Sequence, residues 1–105
     1  MTVLNKKQIK FLRKKAQKEK PIFQVGKLGV TDVFIQQVNE AIEKRELVKF
    51  NILQNSDEEI NQAAEQIAES IDAVIIQTVG HTAILYRPSR KEKYQRLSEE
   101  IANIQ

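Results

Sequence analysis

The sequence contains no cysteine and a single histidine, so several kinds of chemical site have no residues to build them. Without cysteine the chain cannot form a disulfide or a thiolate metal site. The histidine, His81, has no second histidine or cysteine as a partner and falls in a predicted turn. We therefore expect a structural or solvent-exposed histidine, no bound metal and no cofactor.

Long apolar runs are also missing from the chain. No segment approaches the roughly 20 apolar residues that a membrane-spanning helix needs. The opening stretch, MTVLNKKQIK, lacks the apolar core and the small-residue cleavage site of a secretory signal. These absences predict a cytoplasmic protein without membrane contact.

The composition fits one soluble domain. The chain has 105 residues, of which 41% are hydrophobic and 30% are charged. This length is typical of a single domain, and the hydrophobic content is sufficient for a core. We expect one domain over residues 1–105, with a core of about 5–90 and a helical extension over about 89–104.

Charge is segregated along the chain, although the net charge is only +3. Residues 1–31 carry nine bases and one acid, residues 32–86 carry three bases and ten acids, and residues 87–105 carry five bases and three acids. The three segments therefore have net charges of +8, −7 and +2. A polyanion would be attracted to the amino-terminal segment and repelled by the middle one.

Apolar periodicity predicts alternating helices and strands. A first helix begins after Asn5 and ends before Pro21, and its apolar stripe consists of Ile9, Leu12 and Ala16. Further helices precede residue 47 and residue 73, and a last one covers residues 89–104. The predicted strands cover residues 22–25, 47–53, 73–79 and 83–87.

Local signals predict how these elements begin and turn. Thr31 is expected to cap the second helix, and SDEE at residues 56–59 matches a capping box for the third. Gly80 and His81 fit a tight hairpin turn. In the last helix, Tyr94, Leu97, Ile101 and Ile104 form one apolar stripe. We expect this stripe to pack on its own domain, with another copy of the chain as the alternative.

The element order predicts an α+β fold with one four-stranded mixed sheet. Strand-helix-strand units give parallel crossovers, whereas the last two strands are too close in sequence to be anything but antiparallel. In the second strand Lys49 and Asn51 alternate with Val48, Phe50 and Ile52. Since the polar row indicates a solvent-facing side, we expect a two-layer sandwich whose helices cover mainly one face.

Two of the three glycines lie in the motif GKLG, residues 26–29, between a predicted strand and a helix N-terminus. Glycine allows positive φ and close backbone approach, and a helix N-terminus favours a phosphate. Lys27 adds a cation, and G-x-x-G loops of K-homology domains clamp nucleic-acid backbone. The alternative is a plain strand-to-helix turn. A dinucleotide or P-loop site is disfavoured, because neither glycine fingerprint is complete.

The first helix carries bases opposite its apolar stripe. An ordinary solvated face would mix both signs, but only Glu19 offsets the bases of this region. Phe11 lies among the lysines, where it could stack on a base or pack against a neighbouring element. The basic residues of this face are Lys6, Lys7, Lys10, Arg13 and Lys14, with Lys18 beyond them.

The stretch KKQIKFLRKKAQKEKPIFQVGKLGVTDVFIQQVNEAIEKRELVKF, with AVIIQTVGHTAILYRP later, resembles the CRM domain (chloroplast RNA splicing and ribosome maturation). It is most similar to the stand-alone bacterial members, which are called YhbY-like, over about residues 5–90. The resemblance implies an RNA-binding fold similar to the C-terminal domain of bacterial translation initiation factor three. It also implies action on precursor large ribosomal subunits. The GKLG loop matches the family loop, and Arg87 matches its terminal arginine.

The sequence thus predicts a monomeric, non-enzymatic protein that binds ribosomal RNA of precursor large subunits and has no small-molecule substrate. A protein-interaction adaptor that uses the acidic middle segment and the last helix is the main alternative. An enzyme would need an acid-base pair created by folding, and DNA binding lacks a helix-turn-helix pattern. The predicted RNA-binding residues are Lys6, Lys7, Lys10, Arg13, Lys14, Gly26, Lys27, Leu28, Gly29, Thr31 and Arg87.

Overall fold

A computed structural model describes residues 3–54 and 56–104. The helices are α1 (Lys6–Ala16), α2 (Asp32–Arg45), α3 (Ile60–Ile71) and α4 (Arg96–Ala102), and the strands are β1 (Phe23–Val25), β2 (Leu47–Ile52), β3 (Val74–Val79) and β4 (Thr82–Tyr86). A short 3-10 turn, Glu92–Tyr94, precedes α4. The predicted α+β class and element order are confirmed. Positions 1, 2, 55 and 105 of the predicted domain lie outside the described residues.

The four strands form one mixed sheet in the order β1-β2-β4-β3. β1 runs parallel to β2, as a crossover through α2 requires, and β4 is antiparallel to both of its neighbours. The tight turn between β3 and β4 is confirmed by Gly80, whose φ of 58° suits glycine. The predicted mixed sheet is therefore confirmed.

Helices α2 and α3 cover one face of this sheet and enclose the first core. Val48, Phe50 and Ile52 point from β2 into it, as their alternation predicts. The rings of Phe23, Phe34 and Phe50 meet edge to face, with centroids 5.9 and 6.0 Å apart. The larger helix residues of this core are Phe34, Val38, Ile42, Ile67 and Ile71.

Helices α1 and α4 lie on the other face of the sheet, where the sequence predicted mainly solvent. The side chain of Lys49 explains the difference. Its Nζ lies 3.5 Å from the carbonyl oxygen of Ala16 and 3.3 Å from that of Glu19, so the ammonium reaches the end of α1. A lysine can cover apolar surface with its stem while its charge meets helix carbonyls. The second core consists of Leu12, Ala16, Leu47, Ile76, Ile84, Tyr86, Leu97 and Ile101.

Capping residues fix where the helices start. Asn5 and Gln8 form a capping box at α1, and Thr31 Oγ1 accepts a hydrogen bond from Phe34 N at 3.0 Å, as predicted. The capping box predicted at residues 56–59 is wrong, because α3 starts later and Glu59 is its cap. The N–H groups of Asn61 and Gln62 donate to Glu59 and lower the pKa of its carboxyl.

The C-terminal extension is shorter in its helix than predicted but packs on its own domain, as expected. Leu97 and Ile101 are buried in the second core, and Gln8 of α1 donates a hydrogen bond to the carbonyl oxygen of Ile101 at 3.0 Å. Tyr94 lies outside both cores and is half-buried. The extension therefore completes the layer that α1 begins.

Two glutamates at the end of α2 anchor this extension. Glu46 is fully buried at a φ of 66°, and its two carboxylate oxygens accept hydrogen bonds from Ser89 N at 2.6 Å and Ser98 N at 3.0 Å. Glu43 accepts hydrogen bonds from Ser89 Oγ and Arg90 N. Partial burial opposes ionisation of Glu43, but these hydrogen bonds and the charge of Arg87 outweigh it and lower the pKa of the carboxyl.

Replacing Glu46→Gln should destabilise the domain. A glutamine keeps the shape but turns an amino group towards one of the two N–H donors, so one buried hydrogen bond is lost. Hydrogen bonds to charged groups contribute about 1.5–3 kcal/mol, and we expect a loss of that size in the free energy of unfolding. Urea denaturation followed by circular dichroism measures it.

Glu69→Gln is the matched control, because Glu69 is exposed on α3. A surface substitution of this kind should change stability by less than about 0.5 kcal/mol. If the two variants unfold at the same urea concentration, the carboxylate of Glu46 does not hold the extension in place.

Candidate nucleic-acid interface

The outer side of α1 is a continuous basic surface. Leu12 and Ala16 are fully buried against the sheet, which turns the opposite side of the helix to solvent. The helix contains no acidic residue. The predicted contacts Lys6, Lys7, Lys10, Arg13 and Lys14 are all exposed there, and we call this set the α1 basic face.

Phe11 contributes to packing rather than to this face. It is half-buried and packs against the second core, which agrees with the packing alternative for this residue. The α1 basic face is therefore an electrostatic surface without an aromatic platform of its own. Such a surface suits phosphate groups, which carry no sequence information.

The two glycines of the GKLG loop have different reasons to be glycine. Gly29 has a φ of 72°, and a Cβ at this position would lie 2.6 Å from Oε1 of Glu58. Its N–H also closes a turn on the carbonyl oxygen of Gly26 at 3.0 Å. The fold itself therefore requires glycine at position 29.

Gly26 has no such requirement. It is not among the described residues with positive φ, and a Cβ there would meet only Leu53 Cδ1, at an ordinary 4.0 Å. The chain could accept a side chain at this position. A glycine whose absence of a side chain the fold does not use is suited to close approach by another molecule.

A carboxylate of the protein already occupies part of the expected anion site. Oε1 of Glu58 accepts a hydrogen bond from Val30 N at 3.3 Å. A cavity of about 210 Å³ beside the loop is lined by Lys27, Leu28 and Gly29 on one side and by residues 56–59 on the other. Asp57, Glu58 and Glu59 make that other side acidic, so the side of Gly26 and Lys27 is electrostatically the more favourable one for a phosphate.

The loop therefore presents a narrower binding surface than its motif suggests. Among the described residues, the N–H groups of Lys27 and Leu28 have no hydrogen-bond partner. Leu28 is 89% exposed and Val33 is 65% exposed, so apolar side chains flank these donors. Thr31 is engaged as the cap of α2, and its hydroxyl serves the helix rather than a ligand.

Arg87 is not available for the RNA contact that the sequence predicted. It is only 4% exposed, and its Nη1 donates to Asn39 Oδ1 at 2.6 Å and to the carbonyl oxygen of Ile71 at 2.7 Å. Its Nη2 lies 3.3 Å from Oε2 of Glu43. The arginine of the matching motif therefore joins α2, α3 and the end of β4, and its role is structural.

The α1 basic face and the GKLG loop are two separate parts of the surface. α1 lies over β2 and β3 on the second face of the sheet. The loop follows the carboxyl end of the edge strand β1 and shares its cavity with residues before α3. They are close in the sequence, since only residues 17–25 separate α1 from the loop, but they lie at different parts of the sheet.

Within residues 3–54 and 56–104, no helix has both the length and the apolar character needed to cross a membrane. No three histidine or carboxylate side chains converge there in an arrangement that could hold a metal ion. His81 is exposed in the turn between β3 and β4.

Residues 4–87 match the family model of the CRS1/YhbY (CRM) domain. YqeI of Bacillus subtilis, described as a candidate RNA-binding protein, is 46% identical over 87% of this chain and 95% of its own length. An RNA-binding protein of Haemophilus influenzae is 33% identical over 90% of this chain and 96% of its own. A solution structure from Staphylococcus aureus, of a candidate RNA-binding protein, superposes with a TM-score of 0.71 at 34% identity, covering 86% of this chain and 94% of that one.

Alanine substitutions should separate the roles of the two glycines. Gly29→Ala forces a left-handed backbone and a clash with Glu58, so we expect it to lower the free energy of unfolding by about 1–3 kcal/mol. Gly26→Ala should change stability by less than about 1 kcal/mol, because the site has room for a methyl group. Equal destabilisation by both variants would show that the fold needs Gly26 as well.

Proposed function

The chain belongs to the CRS1/YhbY (CRM) domain family, and on that premise we propose that it binds RNA, with ribosomal RNA of precursor large subunits as its target. The observation that carries the proposal is the α1 basic face, which is wholly exposed and has no acid within its helix. The relatives described as binding RNA support the class of partner. The ribosomal target is what the resemblance to YhbY-like proteins implies.

The α1 basic face would supply attraction that does not depend on sequence. Lysine and arginine side chains neutralise phosphates and release condensed counterions, which makes affinity fall steeply with salt. Such contacts orient a nucleic acid on the protein without selecting its bases. In this proposal the face captures RNA first and holds its backbone.

The GKLG loop would make the closer contact. The open position at Gly26 lets a phosphate approach the N–H groups of Lys27 and Leu28, while the Lys27 ammonium adds charge. The acidic residues 57–59 would repel phosphates, so the RNA backbone would pass the loop on the side of Gly26 and Lys27. In this proposal the loop holds the RNA backbone at one phosphate, whereas the α1 basic face attracts RNA over a wider area.

We propose that binding is the whole activity, without catalysis. The carboxylates Glu43, Glu46, Glu58 and Glu59 each have a structural partner, as an anchor, a loop contact or a cap. The apolar stripe of α4 is buried within the domain, which favours a monomer over an adaptor that packs in trans. A ribosomal target would place the protein in the cytoplasm.

Removing charge from the α1 basic face should weaken the binding of all RNAs to a similar degree. Each lost phosphate contact lowers the slope of log affinity against log salt by about 0.7 for single strands or 0.9 for duplexes. Lys10→Gln with Lys14→Gln should thus flatten the slope by about 1.4 to 1.8. Fluorescence anisotropy across a salt series measures the slope.

The control for this double variant removes equal charge elsewhere. Arg90→Gln with Lys91→Gln changes exposed residues of the C-terminal segment and leaves α1 intact. Parent-like affinity and slope in the Lys10 and Lys14 variant would rule out the face as a phosphate-binding surface.

Crosslinking in cells, followed by sequencing of the attached RNA, tests the target. The parent chain should enrich large-subunit ribosomal RNA, and Gly26→Asp should lose most of that signal because its carboxylate meets the phosphate. Expression and the unfolding midpoint of Gly26→Asp serve as the control for folding. A library without RNA enrichment contradicts the proposal. Full enrichment by a folded Gly26→Asp would show that the loop is only a turn and does not contact RNA.

A further inference from the structure

A groove outside the loop and the α1 basic face is also lined with cations. It encloses about 500 Å³ between α1, the carboxyl end of α2 and the C-terminal extension. All of its lining residues from the extension lie beyond residue 87, where the family match ends. Its charged lining residues are the bases Lys15, Lys44, Arg45, Lys93 and Arg96 and the acids Glu19, Glu46 and Glu100.

The acids only partly neutralise the groove. Five bases and three acids line it, which leaves a net charge of +2. Oε2 of Glu100 lies 3.8 Å from Nζ of Lys15, so this acid offsets one base, and the buried carboxylate of Glu46 is directed to Ser89 N and Ser98 N. The field in the groove is therefore positive, and an anion is the ligand that it favours.

The groove is continuous with the α1 basic face. A neighbouring cavity of about 300 Å³ is lined by Phe11, Lys14, Lys15, Lys18 and Glu100. Lys15 and Glu100 line both cavities, and Lys14 belongs to the α1 basic face. A nucleic-acid strand held on that face can thus continue into the groove without leaving basic surface.

Helix dipoles explain only part of this charge. Lys15, Lys44 and Arg45 lie in the last turns of α1 and α2, where cations are favourable in any protein. Lys93 belongs to the 3-10 turn, and Arg96 is the first residue of α4, where a cation faces the positive end of the helix. Their presence at the groove therefore requires another reason.

Tyr94 adds an aromatic surface to the groove. It is half-buried, belongs to neither core and lines the groove, and Nζ of Lys93 lies over its ring, 5.0 Å from the centroid. Aromatic rings beside cations are the usual means of holding single-stranded nucleic acid, since the base stacks and the phosphate pairs. A cavity of this volume suits a nucleotide-sized ligand.

We propose that this groove is a second RNA subsite that takes one unstacked nucleotide of a single strand. Lys93 leaves the ring of Tyr94 for a phosphate, the freed ring stacks on the base, and Arg96 holds the adjacent phosphate. Bases inside an RNA duplex are stacked on each other and cannot enter, so the subsite selects single-stranded segments. The inference rests on the proposed RNA binding and adds the class of RNA that is preferred.

The test compares Lys93→Gln with Arg96→Gln against the equally charged control Arg90→Gln with Lys91→Gln. Neither Arg90 nor Lys91 lines the groove. Anisotropy is measured with one labelled RNA, as a single strand and as a duplex, across a salt series. The groove variant should lower the single-strand salt slope by about 1.4, whereas its duplex affinity should change no more than that of the control.

A second pair of variants tests the ring. Tyr94→Leu should lower the affinity for the single strand about 5-fold or more, because base stacking is lost. Tyr94→Phe keeps the ring and should bind like the parent. Duplex affinity should be the same for both. Both variants are compared with the parent by their unfolding midpoints.

The outcomes separate this inference from the proposed function. If the parent chain binds neither RNA, both proposals fall. If the parent binds but the groove variant matches its control, or Tyr94→Leu matches Tyr94→Phe, the groove is not a subsite and the proposed function stands. Equal losses on single strand and duplex would overturn the selection of single strands.

Discussion

The structure depends on the carboxylates that hold the C-terminal extension at the end of α2. Glu46 adopts a left-handed backbone and places a buried side chain beneath two N–H groups of the extension. Arg87 fixes the start of the extension through Glu43 and the carbonyl oxygen of Ile71. With the extension in place, Leu97 and Ile101 complete the core beneath α1. The polar contacts of the extension and the packing of α1 thus support the same core.

The GKLG loop shows how one motif can combine two constraints. Gly29 meets a backbone constraint, because a side chain there would be strained by its positive φ and would clash with Glu58. Neither condition applies to Gly26, where the fold leaves room for a side chain. Glu58 meanwhile occupies the N–H of Val30, so the helix N-terminus is only partly open to an anion. In the proposed function, the phosphate contact uses the half of the motif that the fold does not need.

Local patterns in the sequence were sufficient for most of the fold. Apolar spacing placed the strands and helices, and Asn5, Thr31 and Gly80 marked their ends. The capping box at residues 56–59 and the length of the last helix failed locally, whereas the other failed predictions concern polar side chains whose partners lie far along the chain. Lys49 contacts Ala16 of α1 across 33 positions, and Arg87 meets Glu43 across 44 positions. Neither partner leaves a periodic signal, so a half-buried lysine and a buried arginine were interpreted as surface residues.

The segregated charge of the sequence becomes an orientation in the folded protein. The basic first segment and the extension form one layer on the sheet, while acidic positions such as Glu65 and Glu69 are exposed on α3 in the opposite layer. Exposed charges are screened beyond about 10 Å at 0.1 M salt, so RNA near either layer responds mainly to that layer. An RNA strand would be attracted to the side of α1 and α4 and repelled from the side of α3. The GKLG loop, with Lys27 beside Asp57 and Glu58, lies where the two signs meet. The sheet thereby separates a basic layer that attracts RNA from an acidic layer that repels it. Because of this separation, a protein with a net charge of only +3 can be oriented on a polyanion.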